Sequence, residues 1–268
     1  MKLKRLETPN SELAFYRACA PAQPKSTLVL GHALGANRKM WEKVLPLLPE
    51  DIEVILWELP GHGNSGLVDS PEAAGVLPVA QSLHRGMEDL GLTQHPTTLG
   101  GLSLGGTVAL AYAQEHPGKL DGLLLFGSAP ALPPPSAWSG RAEQVLDSGL
   151  EPLVAPTMER WFSKDFREGS GAEAVAQTAK TFVSTNPQGY AQCAQMIGGT
   201  DLWPRVGRVG VPVLVTVGSG DAGMSPAQGE ELAAALPNGQ CVVIDGVKHL
   251  MAVEAPEEVA ALITQMLR

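Results

Sequence analysis

The sequence predicts an α/β protein: a mostly parallel sheet of eight strands, helices on both faces, and an inserted run of helices. Three observations predict it. Short apolar runs rich in β-branched residues recur along the 268 residues, helical patterns separate them, and one long stretch carries helical patterns alone. A chain of this length buries a large core as one domain. Hydrophobic residues at 44% and charged residues at 18% are ordinary globular values, which excludes a wholly disordered chain.

Residues 1–19 read as two polar strands suited to a sheet edge. Further strands are predicted at 27–31, 53–57, 97–101, 122–127, 211–218 and 240–244, short and apolar enough to be buried on both faces. Helical spacing occupies 38–48, 75–91, 104–116, 226–236 and 256–267. Between 129 and 204 the alternation stops. The proline run ALPPPSAW at 131–138 marks the exit from a strand, and helices are predicted near 140–149, 151–163, 171–184 and 187–198. The expected organisation is a core of 1–128 and 205–268 with a helical cap, 129–204, over the sheet edge.

The net charge of −9, with no basic run, argues against a nucleic-acid partner. The three cysteines, Cys19, Cys193 and Cys241, are scattered without CxxC or metal-ligand spacing, which points to a reducing compartment. The N-terminal MKLKRLETPNSEL turns polar too early for a signal peptide, and no apolar stretch reaches the length of a membrane span. The expectation is a cytoplasmic protein that acts on a small molecule without metal or cofactor, and without nucleic-acid or membrane partner. Homo-oligomers stay open.

GGLSLGG at 100–106 carries the chemistry. Gly101-Leu102-Ser103-Leu104-Gly105 fits G-x-S-x-G, with a strand leading in and the helical TVALAYAQEH leading out. In such an elbow the serine sits on a strained turn, and small residues two positions away let strand and helix approach. The alternative is a glycine-rich connection without chemistry. A serine hydroxyl needs a base, and the base an orienting acid, which follow in the order Ser, Asp or Glu, His. Asp221 follows the strand 211–218 in Gly-Ser-Gly-Asp, and His249 follows the strand 240–244, so both fall where ligand chemistry gathers in open α/β sheets. Asp221 also suits a plain turn, and Asp245 is a rival acid. His32, His62, His84, His95 and His116 read mostly as loop or helix-surface residues. An oxyanion needs donors, each worth ~3–4 kcal/mol in the transition state. The Leu104 N–H at the helix N-terminus is one candidate. Leu34 N–H in the loop after 27–31 is the other, with Ala33 as its neighbouring alternative.

The chain resembles the α/β-hydrolase superfamily along its length. HALGANRKMW at 32–41, LPGHGNSG at 59–66, GLSLGG at 101–106, GSGD at 218–221 and KHLMAVEAPEEV at 248–259 carry the likeness. Within it the chain looks most like the 3-oxoadipate enol-lactonases, through ERWFSKDF at 159–166, GYAQCAQMI at 189–197 and DLWPRV at 201–206. It departs from them at His32-Ala33, where Asn-Ser is common, and near Glu58-Leu59, where Asp and Arg are frequent. The resemblance implies an α/β-hydrolase fold and the opening of 3-oxoadipate enol-lactone through an acyl-serine. A broad carboxylesterase with perhydrolase side activity and a non-catalytic binding protein are the alternatives. A substrate carboxylate would favour a fixed cation in the cap, for which Arg141 and Arg160 are candidates, with surface arginines as the plainer reading. Trp138, Trp161, Phe162 and Met196 are candidates for the pocket wall or for cap packing.

Overall fold

The computed structural model describes residues 3–69, 75–92, 96–132 and 134–268. His95 and Pro133 lie outside the described residues. Eight strands form one sheet: β1 (Lys4–Leu6), β2 (Phe15–Cys19), β3 (Thr27–Gly31), β4 (Glu53–Trp57), β5 (Thr97–Leu102), β6 (Gly122–Phe126), β7 (Val213–Gly218) and β8 (Gly239–Ile244). Their spatial order is β1-β2-β4-β3-β5-β6-β7-β8. β2 runs antiparallel to both its neighbours, and the other pairs are parallel. Every residue of β3, β5, β6 and β7 is buried, as expected of central strands covered on both faces. β1 and β8 form the edges and stay partly exposed.

The helices are α1 (Leu77–Asp89), α2 (Leu104–Glu115), α3 (Pro135–Ser148), α4 (Val154–Trp161), α5 (Lys164–Glu168), α6 (Ala172–Val183), α7 (Pro187–Gly198), α8 (Pro226–Ala235), α9 (Met251–Glu254) and α10 (Pro256–Met266). α1 buries Val79, Leu83, Gly86 and Met87 at helical spacing. α2 is buried from Leu104 to Gln114 and lies against the sheet. α8 starts on a capping box, with the Ser225 and Gln228 side chains each serving the other's backbone.

The helix predicted over 38–48 is instead two 3₁₀ turns, Arg38–Trp41 and Leu45–Leu47. Pro46 explains the break, because it has no N–H to give and its ring collides with the carbonyl one turn back. Elsewhere the predicted strands and helices stand within a few residues of their expected ends, apart from α3, which starts at Pro135 rather than near 140. Proline at the first turn of a helix lacks only an N–H that would be unpaired anyway.

Between β6 and β7 the described residues contain α3 to α7 and no strand. An isolated bridge between Ala131 and Asp201 closes the base of this insertion, backed by a bond from Leu202 N–H to the Pro130 carbonyl at 3.0 Å. Among the described residues no helix is long and apolar enough to cross a membrane.

Candidate active site

The site follows from the strand order. β3 lies between β4 and β5, so the chain reverses direction across the sheet there, and the loops after β3 and β5 diverge from a shared crevice. Ser103 is the single residue between β5 and α2, at the N-cap of the helix. Its φ of +56° and ψ of −123° make it the one non-glycine residue with positive φ among the described residues. Ser103 N–H donates to the Phe126 carbonyl at 2.8 Å, which pins the turn to the neighbouring strand. A Cβ on Gly105 would lie 2.6 Å from the Gly31 carbonyl carbon, and one on Gly101 would lie 2.5 Å from that of Gly105. Only glycine lets α2 sit so low on β3 and β5.

Asp221, on the loop after β7, is 4% exposed, and its Oδ2 lies 2.7 Å from His249 Nδ1 on the loop after β8. The other carboxylate oxygen, Oδ1, accepts the Gly223 N–H at 2.7 Å and the Met224 N–H at 3.3 Å. Burial raises the carboxyl pKa, but the His249 ring and the two N–H groups outweigh it and bring the value below the ordinary aspartate level. Asp221 is therefore an anion that holds Nδ1–H and leaves Nε2 as the lone-pair nitrogen. Asp245 is exposed and accepts a bond from Ser219 Oγ instead.

Ser103 and His249 line one cavity of about 80 Å³ together with Ala33, Leu34, Gly127 and Gly223. Ser103 Oγ makes no hydrogen bond to any described residue. Catalytic contacts of this kind commonly tighten only when substrate binds. The N–H groups of Ala33, Leu34 and Leu104 donate to no acceptor among the described residues, so each is available to an oxyanion.

Two histidines expected in loops or on helix surfaces are fully withdrawn from solvent. His32 Nδ1–H donates to the Ala33 carbonyl at 2.9 Å, and Nε2 accepts the Leu59 N–H at 3.0 Å. His62 Nδ1–H donates to the Pro60 carbonyl at 2.9 Å, and Nε2 accepts the Gly35 N–H at 3.0 Å. Each ring thus ties the loop that carries Leu34 to the loop after β4. Burial, and for His62 the neighbouring His32 ring, push their pKa values down to about 4 for His32 and about 3 for His62. Both are neutral braces. Their signal was hidden because each histidine sits beside glycine or alanine in a stretch that reads as a turn.

The helical insertion supplies the remaining wall. Trp138, Arg160, Trp161 and Tyr190 line the cavity. Arg141 does not; its guanidinium bonds the Tyr190 hydroxyl at 2.6 Å. Phe162 and Met196 are buried in packing away from the cavity. Gly127, Leu132, Tyr190, Ile197 and Gly223 also line the cavity and were missed from sequence. Tyr190 read as one more residue of a helix. Gly127, with φ of +53°, passes so close to the Asp221–His249 pair that a Cβ would stand 3.1 Å from Asp221 Oδ2. Among the described residues no group of histidine, cysteine and carboxylate side chains is arranged to hold a metal ion.

Residues 28–262 match the model of the alpha/beta hydrolase family. A curated relative, 3-oxoadipate enol-lactonase 2 of Acinetobacter baylyi, is 26% identical over 237 residues, 87% of this chain and 85% of the relative. The pimeloyl-[acyl-carrier protein] methyl ester esterase of Edwardsiella ictaluri is 28% identical over 262 residues, covering 94% of this chain and 96% of the relative. Among solved structures, the enol-lactonase from Burkholderia xenovorans LB400 superposes with a TM-score of 0.90 at 25% identity, over 98% of this chain and 99% of that one.

Proposed function

The chain belongs to the α/β hydrolase family, and from that premise we propose that it hydrolyses a small carboxylic ester or lactone through an acyl-serine. One observation carries the reading. A buried Asp221–His249 pair, 2.7 Å apart, faces a cavity whose wall includes a serine held in strained backbone.

In the reaction Ser103 Oγ attacks the substrate carbonyl carbon as His249 Nε2 takes its proton, and Asp221 steadies the imidazolium. The Leu34 and Leu104 N–H groups receive the oxyanion, with the helix N-terminus favouring negative charge there. Collapse of the tetrahedral intermediate breaks the bond to the leaving oxygen, which takes the proton back from His249. In an enol-lactone the leaving group is an enol that stays on the same molecule and ketonises. Water, deprotonated by His249, then cleaves the acyl-serine and restores Ser103.

For the substrate we propose an enol-lactone of the 3-oxoadipate type, as the enol-lactonase relatives suggest. The cavity, at about 80 Å³ well under the ~300–1,000 Å³ of ordinary ligand pockets, suits a small substrate, lactone or short ester alike. An open-chain ester is the second reading, favoured by the methyl ester esterase relative at similar identity. Turnover of 3-oxoadipate enol-lactone against short p-nitrophenyl esters separates the two, and a fluorophosphonate probe tests both. Labelling at Ser103 is expected. An unlabelled serine in folded protein would remove the acyl-serine mechanism.

A further inference from the structure

Two guanidinium groups stand at the inner side of the helical insertion, and one of them is tied down. Arg141 on α3 donates from Nε to the Tyr190 hydroxyl at 2.6 Å and from Nη2 to Thr157 Oγ1 at 3.3 Å. Arg160 on α4 lines the cavity shared by Ser103 and His249, yet it makes no hydrogen bond or ion pair with any described residue. Burial, and then the like charge of Arg141, hold its pKa below the ordinary guanidinium value. Asp221 is the carboxylate within its reach electrostatically, and that group is already engaged by His249. Arginine does not shed its proton in a protein. The charge therefore stays, at a cost that an anion in the cavity would offset.

Tyr190 completes the pattern. Its oxygen accepts from Arg141, so its own O–H must point elsewhere, and no described acceptor takes it. Burial raises the phenol pKa and keeps that proton in place. Arg160 thus presents donors only, and the Tyr190 hydroxyl, already accepting from Arg141, has its proton left to give, which suits an acceptor-only ligand group.

We propose that Arg160 and the Tyr190 hydroxyl form a carboxylate subsite inside the catalytic cavity, with Arg141 as the positioning residue for Tyr190. The inference rests on the reading of the protein as a serine ester hydrolase, and it narrows the substrate class to small esters or lactones bearing a free carboxylate. Arg160 and Tyr190 line the same cavity of about 80 Å³ as Ser103 and His249, so a ligand that fills it meets both. Leu132, Trp138 and Ile197 provide apolar wall for a short hydrocarbon spacer.

Monoethyl glutarate and ethyl pentanoate share the ester and the chain length and differ by a terminal carboxylate in place of a methyl. The protein should favour the first in kcat/KM by about 10–100-fold, the scale of hydrogen bonds to a charged group. Arg160→Gln should collapse that ratio, Arg160→Lys restore part of it, and Tyr190→Phe lower it several-fold. Arg141→Gln should lower it through KM, with no further effect in the Tyr190→Phe protein, a non-additivity expected of positioning. Changing the exposed Arg208 to Gln should leave the ratio alone. Glutarate binding to the Ser103→Ala protein, followed by calorimetry, reports on the subsite without turnover and should vanish with Arg160→Gln. Equal kcat/KM for the two esters in the unaltered protein would overturn the subsite and leave the hydrolase reading standing. Arg160-dependent glutarate binding in a protein that turns over neither ester would uphold the subsite and overturn that reading.

Discussion

The two sides of the cavity are held in different ways. Ser103, Asp221 and His249 sit on turns at the ends of buried strands, where backbone geometry leaves little freedom. Ser103 is fixed by a strained φ and a bond to β6, and Asp221 by two backbone N–H groups and His249. Arg160, Tyr190 and Trp138 sit on helices of the insertion, where Tyr190 is held by the Arg141 side chain and Trp138 by its indole N–H on the Leu132 carbonyl. The same contrast recurs inside the insertion. α7 is fastened to the core, its Gln192 amide bonding both the N–H and the carbonyl of Val68, and its Gly189 backbone touching Gly61. α6 buries Phe182 and little else. On the proposed reading, the chemistry rests on the backbone of the core and the selectivity on side chains of the insertion.

The largest expected effects break the core side of this contrast. Ser103→Ala and His249→Ala should each remove nearly all turnover, on the order of 10⁶-fold as in a serine protease whose catalytic residues act as a unit. Circular dichroism should show folded protein in both. Asp221→Asn should cost ~10³–10⁴-fold, because the wrong tautomer of the histidine is then favoured. Asp245→Asn should stay close to unaltered activity, since Asp245 is exposed and bonds Ser219 rather than His249. A larger loss at Asp245 than at Asp221 would reassign the acid.

Acid should weaken the core before it touches the insertion. His32 and His62 have folded pKa values of about 4 and about 3, below the ordinary 6.5. The unfolded chain therefore takes up protons that the folded one refuses, and stability falls as the pH drops from about 6.5 toward 4. The loss amounts to ~3–5 kcal/mol per histidine at its limit. His116, held low by burial and by His84, acts in the same sense. The Asp221 carboxyl, shifted down, gives up its contribution only below the ordinary aspartate range. Melting curves between pH 7 and 4.5 should show the decline, and His62→Asn should flatten it in a protein less stable at pH 7. An unchanged slope would mean that His62 is not among the groups responsible.

How much of this was legible in sequence follows the same division. The elbow could be read because its glycine spacing is a steric requirement, and Asp221 and His249 because chain order places them after the last strands. The bracing role of His32 and His62 was not read, since a partner of each lies 27 residues away and only the tertiary fold brings them together. Pro46 was present to be read and its effect on 38–48 was overlooked. In the insertion, periodicity predicts helices but not which arginine turns inward. Arg141 and Arg160 look alike in sequence, and the hydroxyl of Tyr190 is what separates them.

Phe182 tests how loosely α6 is attached. Its ring meets Trp161 and Tyr190 edge-on, with centroids 5.7 Å away in each case, and packs over Gly35. Phe182→Ala should cost ~3–5 kcal/mol where the surroundings cannot collapse. Hydrogen exchange should report the loss as faster exchange across 172–183, with the amides of β5 and β6 unaltered. Equal acceleration in the sheet would show that α6 and the core unfold together.

The smallest effect bears most directly on the contrast. If the insertion selects and the core reacts, exchanging 129–204 for the corresponding segment of a related esterase should change which acyl group is preferred. Pocket contacts of this kind discriminate by ~1–3 kcal/mol, so the ranking should move by about 10–200-fold while Ser103 still reacts with a small activated ester. The junctions favour the exchange, because the segment enters and leaves at one place, where Ala131 pairs with Asp201 and Leu202 bonds Pro130. The other seam is harder. Leu250 N–H donates to the Trp161 carbonyl at 3.0 Å, and Glu254 accepts the Ser163 and Lys248 N–H groups, so the loop carrying His249 leans on the insertion. A chimera that keeps these bonds should retain its reactivity toward a fluorophosphonate. One that loses labelling while remaining folded would show that the insertion also positions His249. An unchanged substrate ranking in a reactive chimera would place selectivity in the core instead.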